Sequence, residues 1–119
     1  MAKTVARTTI QASASNAAGA TATSSYIDIA ADYDVVVVGQ ITNGATGPTI
    51  ACSVFIEVAD SSDANPIRIA GTTAALGNSV VTRFQFAIPR GSAKLRTVFT
   101  GNTGQAVTVE AYAERVTAI

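Results

Sequence analysis

Histidine and tryptophan are absent from this 119-residue chain, and Cys52 is its single cysteine. The lack of histidine removes the commonest general base and the commonest nitrogen ligand for a metal. With one thiol left, the Cys/His sets of ordinary zinc sites cannot be assembled, and an intrachain disulfide is excluded. Charge is scarce too. Eight basic and eight acidic residues make up 13% of the chain and cancel to a formal charge of zero, which predicts no electrostatic attraction to nucleic acid or to an anionic membrane. No apolar run approaches the ~20 residues of a membrane helix. The opening "MAKTVARTT" lacks the apolar stretch of a secretory signal, so synthesis and folding in the cytosol are expected. No Gly-x-Ser-x-Gly elbow occurs. "GTTAALG" from Gly71 to Gly77 has the first spacing of a phosphate loop, but Asn78 stands where that loop needs lysine.

What the chain has is β-forming sequence punctuated by turns. Hydrophobic residues make up 48% of it, too many for a disordered segment. Residues alternate between apolar and polar in Thr49–Ala59, Ser79–Ile88, "KLRTVFT" (Lys94–Thr100) and Ala106–Val116, the period of a half-buried strand. No segment holds a helical period over ten residues. "YIDIA" (Tyr26–Ala30) and "IRIAG" (Ile67–Gly71) add short strands. "VVVVGQITN" (Val35–Asn43) reads as a central strand covered on both faces, with Gly39 marking a bulge or a close approach. Seven to eight short strands separated by Gly, Asn and Pro turns predict an antiparallel β-sandwich of jelly-roll type. Val37, Val54, Ile56, Phe84, Phe86, Val107 and Val109 are its expected core, and Cys52 is a buried small hydrophobe within it. Residues 1–15 carry few apolar side chains and are expected to form a flexible arm, with a short edge strand near Thr8–Ala14. A single domain then spans 16–119.

Two stretches resemble each other: "ITNGATGPTIACSVFIE" (Ile41–Glu57) and "FTGNTGQAVTVEAYAE" (Phe99–Glu114). Each sets Gly, Asn and Thr between β-forming runs, which predicts two hairpins of like geometry.

Candidate sites are few. Asp28, Asp32 and Asp34 cluster at one turn and Asp60 and Asp63 at another. Neither set has the spacing of a calcium loop, so solvated turn aspartates are the expectation, with no metal and no cofactor. Tyr26, Tyr33 and Tyr112 make a sugar platform only if they share a face. Arg90, Lys94 and Arg96 form the one local basic cluster, and Lys3 and Arg7 are the charges of the N-terminal segment. These five are the expected partner contacts.

Through "ITNGATGPTIACSVFIEVA" and "LRTVFTGNTGQAVTVEAYAERVTAI" the chain resembles small structural proteins of tailed bacteriophages, over most of residues 15–119. The resemblance implies a non-enzymatic virion component. Its implied role is a head decoration, or cement, protein that sits on the major capsid protein as a dimer or trimer. It offers no catalytic residue to transfer. A neck or tail component, and a carbohydrate-binding or adhesion domain, are the alternatives.

Overall fold

The computed structural model describes residues 3–62 and 65–119. Its strands in chain order are β1 (Thr4–Asn16), β2 (Ala22–Thr23), β3 (Ile27–Asp28), β4 (Asp34–Asn43), β5 (Ser53–Ala59), β6 (Ile67–Thr73), β7 (Val81–Ala87), β8 (Lys94–Thr100) and β9 (Val107–Ala118). No helix occurs among the described residues. The strands form two antiparallel sheets. The first has the order β1-β9-β4-β7; the second has the order β2-β8-β5-β6, with β3 also on β8. β2 and β3 lie along β8 in nearly continuous register, so they act as one interrupted edge strand. The result is eight strands in two sheets, with most connections crossing from one sheet to the other, as in a jelly roll.

Period-two alternation explains which side chains turn inward. Val37 and Ile41 of β4, Val54 and Ile56 of β5, Leu95 and Phe99 of β8, and Val109, Ala111 and Ala113 of β9 have no exposed surface. Of the seven expected core residues six are buried, and Phe86 is partly buried against them. Cys52 is buried as well, and burial pushes its thiol up to about 11. Gly39 of β4 faces inward opposite Phe84, and the ring lies where a side chain would stand. A Cβ at Gly39 would sit 2.5 Å from Phe84 Cζ. The close approach is therefore real, and no bulge accompanies it in the β4–β7 or β4–β9 ladder.

Three expectations need correction. The edge strand expected near Thr8–Ala14 is present but longer than expected: β1 starts at Thr4, within the segment 1–15 expected to be an arm, and runs for 13 residues through the expected boundary at residue 16. An edge strand needs only backbone pairing, here with β9, and one apolar anchor. Ile10 provides the anchor at 9% exposure. Second, β4 is central in its sheet, yet only one of its faces is covered. Val35 and Val37 are buried, whereas Val36 and Val38 point outward and are half-buried by their sheet neighbours. Consecutive valines favour strand conformation through χ1 stiffness, which does not require a second covering layer.

Third, the two look-alike stretches are not hairpins. Ile41–Glu57 leaves β4 in the first sheet and enters β5 in the second, and Phe99–Glu114 leaves β8 in the second and enters β9 in the first. Both are arches between sheets, and they touch. Ile50 bridges Thr103, and Thr49 N donates to the Thr103 carbonyl at 2.8 Å. Positive φ is used only in the second arch, at Gly101 and Gly104. Buried asparagines hold the chain at both. Asn43 donates to the carbonyls of Ala75 and Gly77 at 3.0 and 2.8 Å. Asn102 accepts from Asn16 Nδ2 at 2.8 Å and donates to the carbonyls of Asn16, Ala17 and Gln105.

Candidate functional site

The outer face of the second sheet is built around Glu57. It stands between Arg96 of β8 and Arg68 of β6 in the ladder, and both guanidiniums donate to its carboxylate, at 2.7 and 3.0 Å. Each arginine also stacks on a ring: Arg68 lies 4.3 Å from the Phe55 centroid and Arg96 4.5 Å from that of Tyr26. Glu57 is 8% exposed although it points away from the core. Burial works to raise its pKa, but the hydrogen bonds and charges of Arg68 and Arg96 outweigh it and hold the carboxyl below its ordinary value. This face has matched its own charges.

The outer face of the first sheet is different. A shallow trough of about 420 Å³ opens over Val38, Gly39 and Gln40, walled by Arg83 on one side and by Glu110, Tyr112 and Arg7 on the other. The Tyr112 hydroxyl donates to Glu110 Oε2 at 2.8 Å, which raises the phenol pKa, and Arg7 lies 4.8 Å from the Tyr112 ring centroid. Arg83 has no ion pair, hydrogen bond or ring contact among the described residues. Val36 and Val38 add apolar surface beside it.

The five expected contact residues do not form one patch. Arg7 is on β1 and pairs with Glu114 at 2.5 Å; Asp34 is held below its ordinary pKa first by the Arg90 hydrogen bond, and the charge of Lys3 acts in the same direction. Arg90, in the β7–β8 turn, binds both carboxylate oxygens of Asp34 at 3.1 and 3.2 Å. Lys94 Nζ is 3.7 Å from Asp28, and Arg96 is committed to Glu57. Arg90, Lys94 and Arg96 are near one another in sequence, but each spends its charge on a different acid.

The aspartate cluster is likewise a set of ion pairs. Arg115 clamps Asp32 through two bonds, at 2.6 and 3.1 Å, and also reaches Thr8 and the Asp28 carbonyl, tying β9 to β1 and to the β3–β4 connection. Asp32 is therefore an ion-pair partner with a buried side chain rather than the freely solvated turn aspartate expected. Asp60 accepts from Ser62 within its own turn, and Asp63 lies outside the described residues. No group of three potential metal ligands occurs among the described residues. The three tyrosines do not share a face: Tyr26 is on the second sheet's side, Tyr112 on the first sheet, and Tyr33 is exposed in the β3–β4 connection.

Sequence reasoning passed over Glu57 and Arg68, Arg83 and Glu110, and Arg115. The alternation already set Glu57, Arg83 and Glu110 on outward faces. Their partners depend on strand order, which alternation does not carry.

Strand order and sheet pairing define the protein as an all-β jelly-roll sandwich. No protein-family model matches the chain, and no curated protein sequence does. Solved structures do. A chain of the infectious bursal disease virus Gx strain superposes with TM-score 0.58 at 12% identity, covering 96% of this chain and 32% of that one. The infectious bursal disease virus VP2 subviral particle gives TM-score 0.57 at 13% identity, over 96% and 33%. A subunit of the Bacillus endospore appendages, described as disulfide-linked pili, gives 0.54 at 14% identity, over 100% and 93%. This chain thus spans about a third of the viral chains and nearly all of the pilus subunit. At such identities the likeness is one of fold.

Proposed function

We propose that the chain is a non-enzymatic structural subunit of a virion, most specifically a decoration protein that sits on the major capsid protein as a dimer or trimer. One observation carries this reading: a jelly roll like that of a viral particle protein, with one outer face saturated by its own ion pairs and the other left open. The tailed-phage resemblance of the two arches supports the same class. The described residues assemble no nucleophile with a base, and a thiol raised to about 11 is inert. A filament subunit is the second reading, favoured by the near-complete overlap with the pilus protein. It ranks second because disulfide linkage needs an accessible thiol, and Cys52 is buried.

The test is immunogold labelling and cryo-electron microscopy of particles from cells that make this chain. Repeating label over phage heads is the expected result. Label confined to necks or tails, or to filaments, moves the chain to those assemblies. Absence of label together with glycan binding by the purified protein replaces the structural reading with the adhesion one.

A further inference from the structure

On the open face of the first sheet, Gln40 of β4 stands opposite Arg83 of β7 on one side and Glu110 of β9 on the other. A cation, an amide and an anion therefore form one row across three strands. With strands ~4.8 Å apart, the charged residues start from backbones about 10 Å apart. They do not pair with each other. Arg83 has no partner among the described residues, and Glu110 is engaged only through Oε2, by the Tyr112 hydroxyl. The neighbouring row is Gln85, Val38 and Tyr112, and the next is Ala87, Val36 and Glu114.

We infer that this face binds the same face of a second copy of the chain, about a two-fold axis running along β4 past Gln40. Rotation about that axis exchanges the β7 and β9 sides. Each Arg83 then comes over Glu110 of the other copy, and Val36 and Val38 meet their own equivalents on the axis. An axis across the strands would set Arg83 against Arg83, so charge selects the first arrangement. Aligned sheets pack about 10 Å apart, a span that an arginine and a glutamate reaching from opposite sides can bridge. The trough beside Gln40 receives the Arg83 side chain of the other copy. With the axis on β4, the three strands β9, β4 and β7 overlap, and over the length of β4 they give a face of roughly 500 Å² per copy, below that of a standard stable interface, so the dimer is weak and reversible. The inference rests on the chain being an assembling subunit and names the face used.

Sedimentation velocity of the full chain at low salt, up to roughly 500 μM, tests it. The wild type should dimerise. Arg83→Glu and Glu110→Arg should each weaken association by roughly tenfold or more, and the double exchange should restore it to within a few-fold. Circular dichroism checks that each variant is folded. If the wild type dimerises but Arg83→Glu does so equally well, or the double exchange restores nothing, this face is the wrong one and the assembling reading stands. If the wild type remains monomeric throughout, the inference falls, and particle labelling still decides the function.

Discussion

On the second sheet, Glu57 holds Arg68 and Arg96 at hydrogen-bonding distance, and Phe55 and Tyr26 lie under the two guanidiniums. On the first, Arg83 stands beside a trough with no partner among the described residues, and among these Glu110 gives one oxygen to a tyrosine. Both faces belong to four-stranded layers of one sandwich, and both carry acids and bases on outward positions. The difference lies in the ladder. On the second sheet the acid sits on the middle strand with an arginine directly opposite on each side. On the first, a neutral glutamine sits on the middle strand and separates the charges. Adjacent opposite charges pair within the chain, whereas Arg83 and Glu110, two strands apart, do not pair with each other.

The sharpest break in this comparison is Glu57→Ala. Removing the shared carboxylate from an 8%-exposed position leaves two guanidiniums facing each other, and about 2–3 kcal/mol of stability should be lost. Urea denaturation with an unchanged slope measures it. A loss no larger than for surface alanines elsewhere would mean that the ladder is ornamental.

Acid provides the intermediate effect. Because the folded Glu57 carboxyl lies below its ordinary value, its contribution is complete above the unfolded pKa, about 4.3, and is lost as pH falls through the folded value. Asp34, through its hydrogen bond to Arg90, and Asp28, through the Ala30 backbone amide and Lys94, are also lowered and act in the same direction. Melting temperature should therefore drop steeply below about pH 4. Glu57→Gln should be less stable than the wild type at neutral pH, with the gap closing at about pH 2. A gap independent of pH would assign the effect to packing rather than charge.

The smallest effect belongs to the open face. Arg83→Ala and Glu110→Ala should each change monomer stability by no more than about 0.5 kcal/mol, measured at concentrations where the chain is monomeric. A loss above about 1 kcal/mol at either position would show that Arg83 or Glu110, like the Arg7–Glu114 pair, serves the first sheet's own fold.

How much was legible beforehand follows the same division. Inward residues of β7, β8 and β9 could be read directly, because a strand buried on one side writes its face into every second position. Gly39 could be read as a close approach, but not as the place where the Phe84 ring settles. The arches are not legible as arches, because a Gly/Asn-rich turn looks alike whether the next strand pairs with the last one or joins the opposite sheet. The edge strand near Thr8–Ala14 is legible, but its full length from Thr4 to Asn16 is not, because an edge strand takes its stability from backbone bonds to β9, which leave little trace in side-chain hydropathy.

The sequence by itself determined an all-β chain, its strand positions, its buried faces and the absence of histidine chemistry. All of these depend on residue identity or on neighbours a few positions away. The tertiary structure alone decided which charges meet. Glu57 and Arg96 are 39 residues apart, and Asp32 and Arg115 are 83 apart. Arg83 and Glu110 share a row only because β4 lies between β7 and β9. Electrostatic pairing falls off with distance in space, and distance in space is set by strand order and register, which no local pattern specifies.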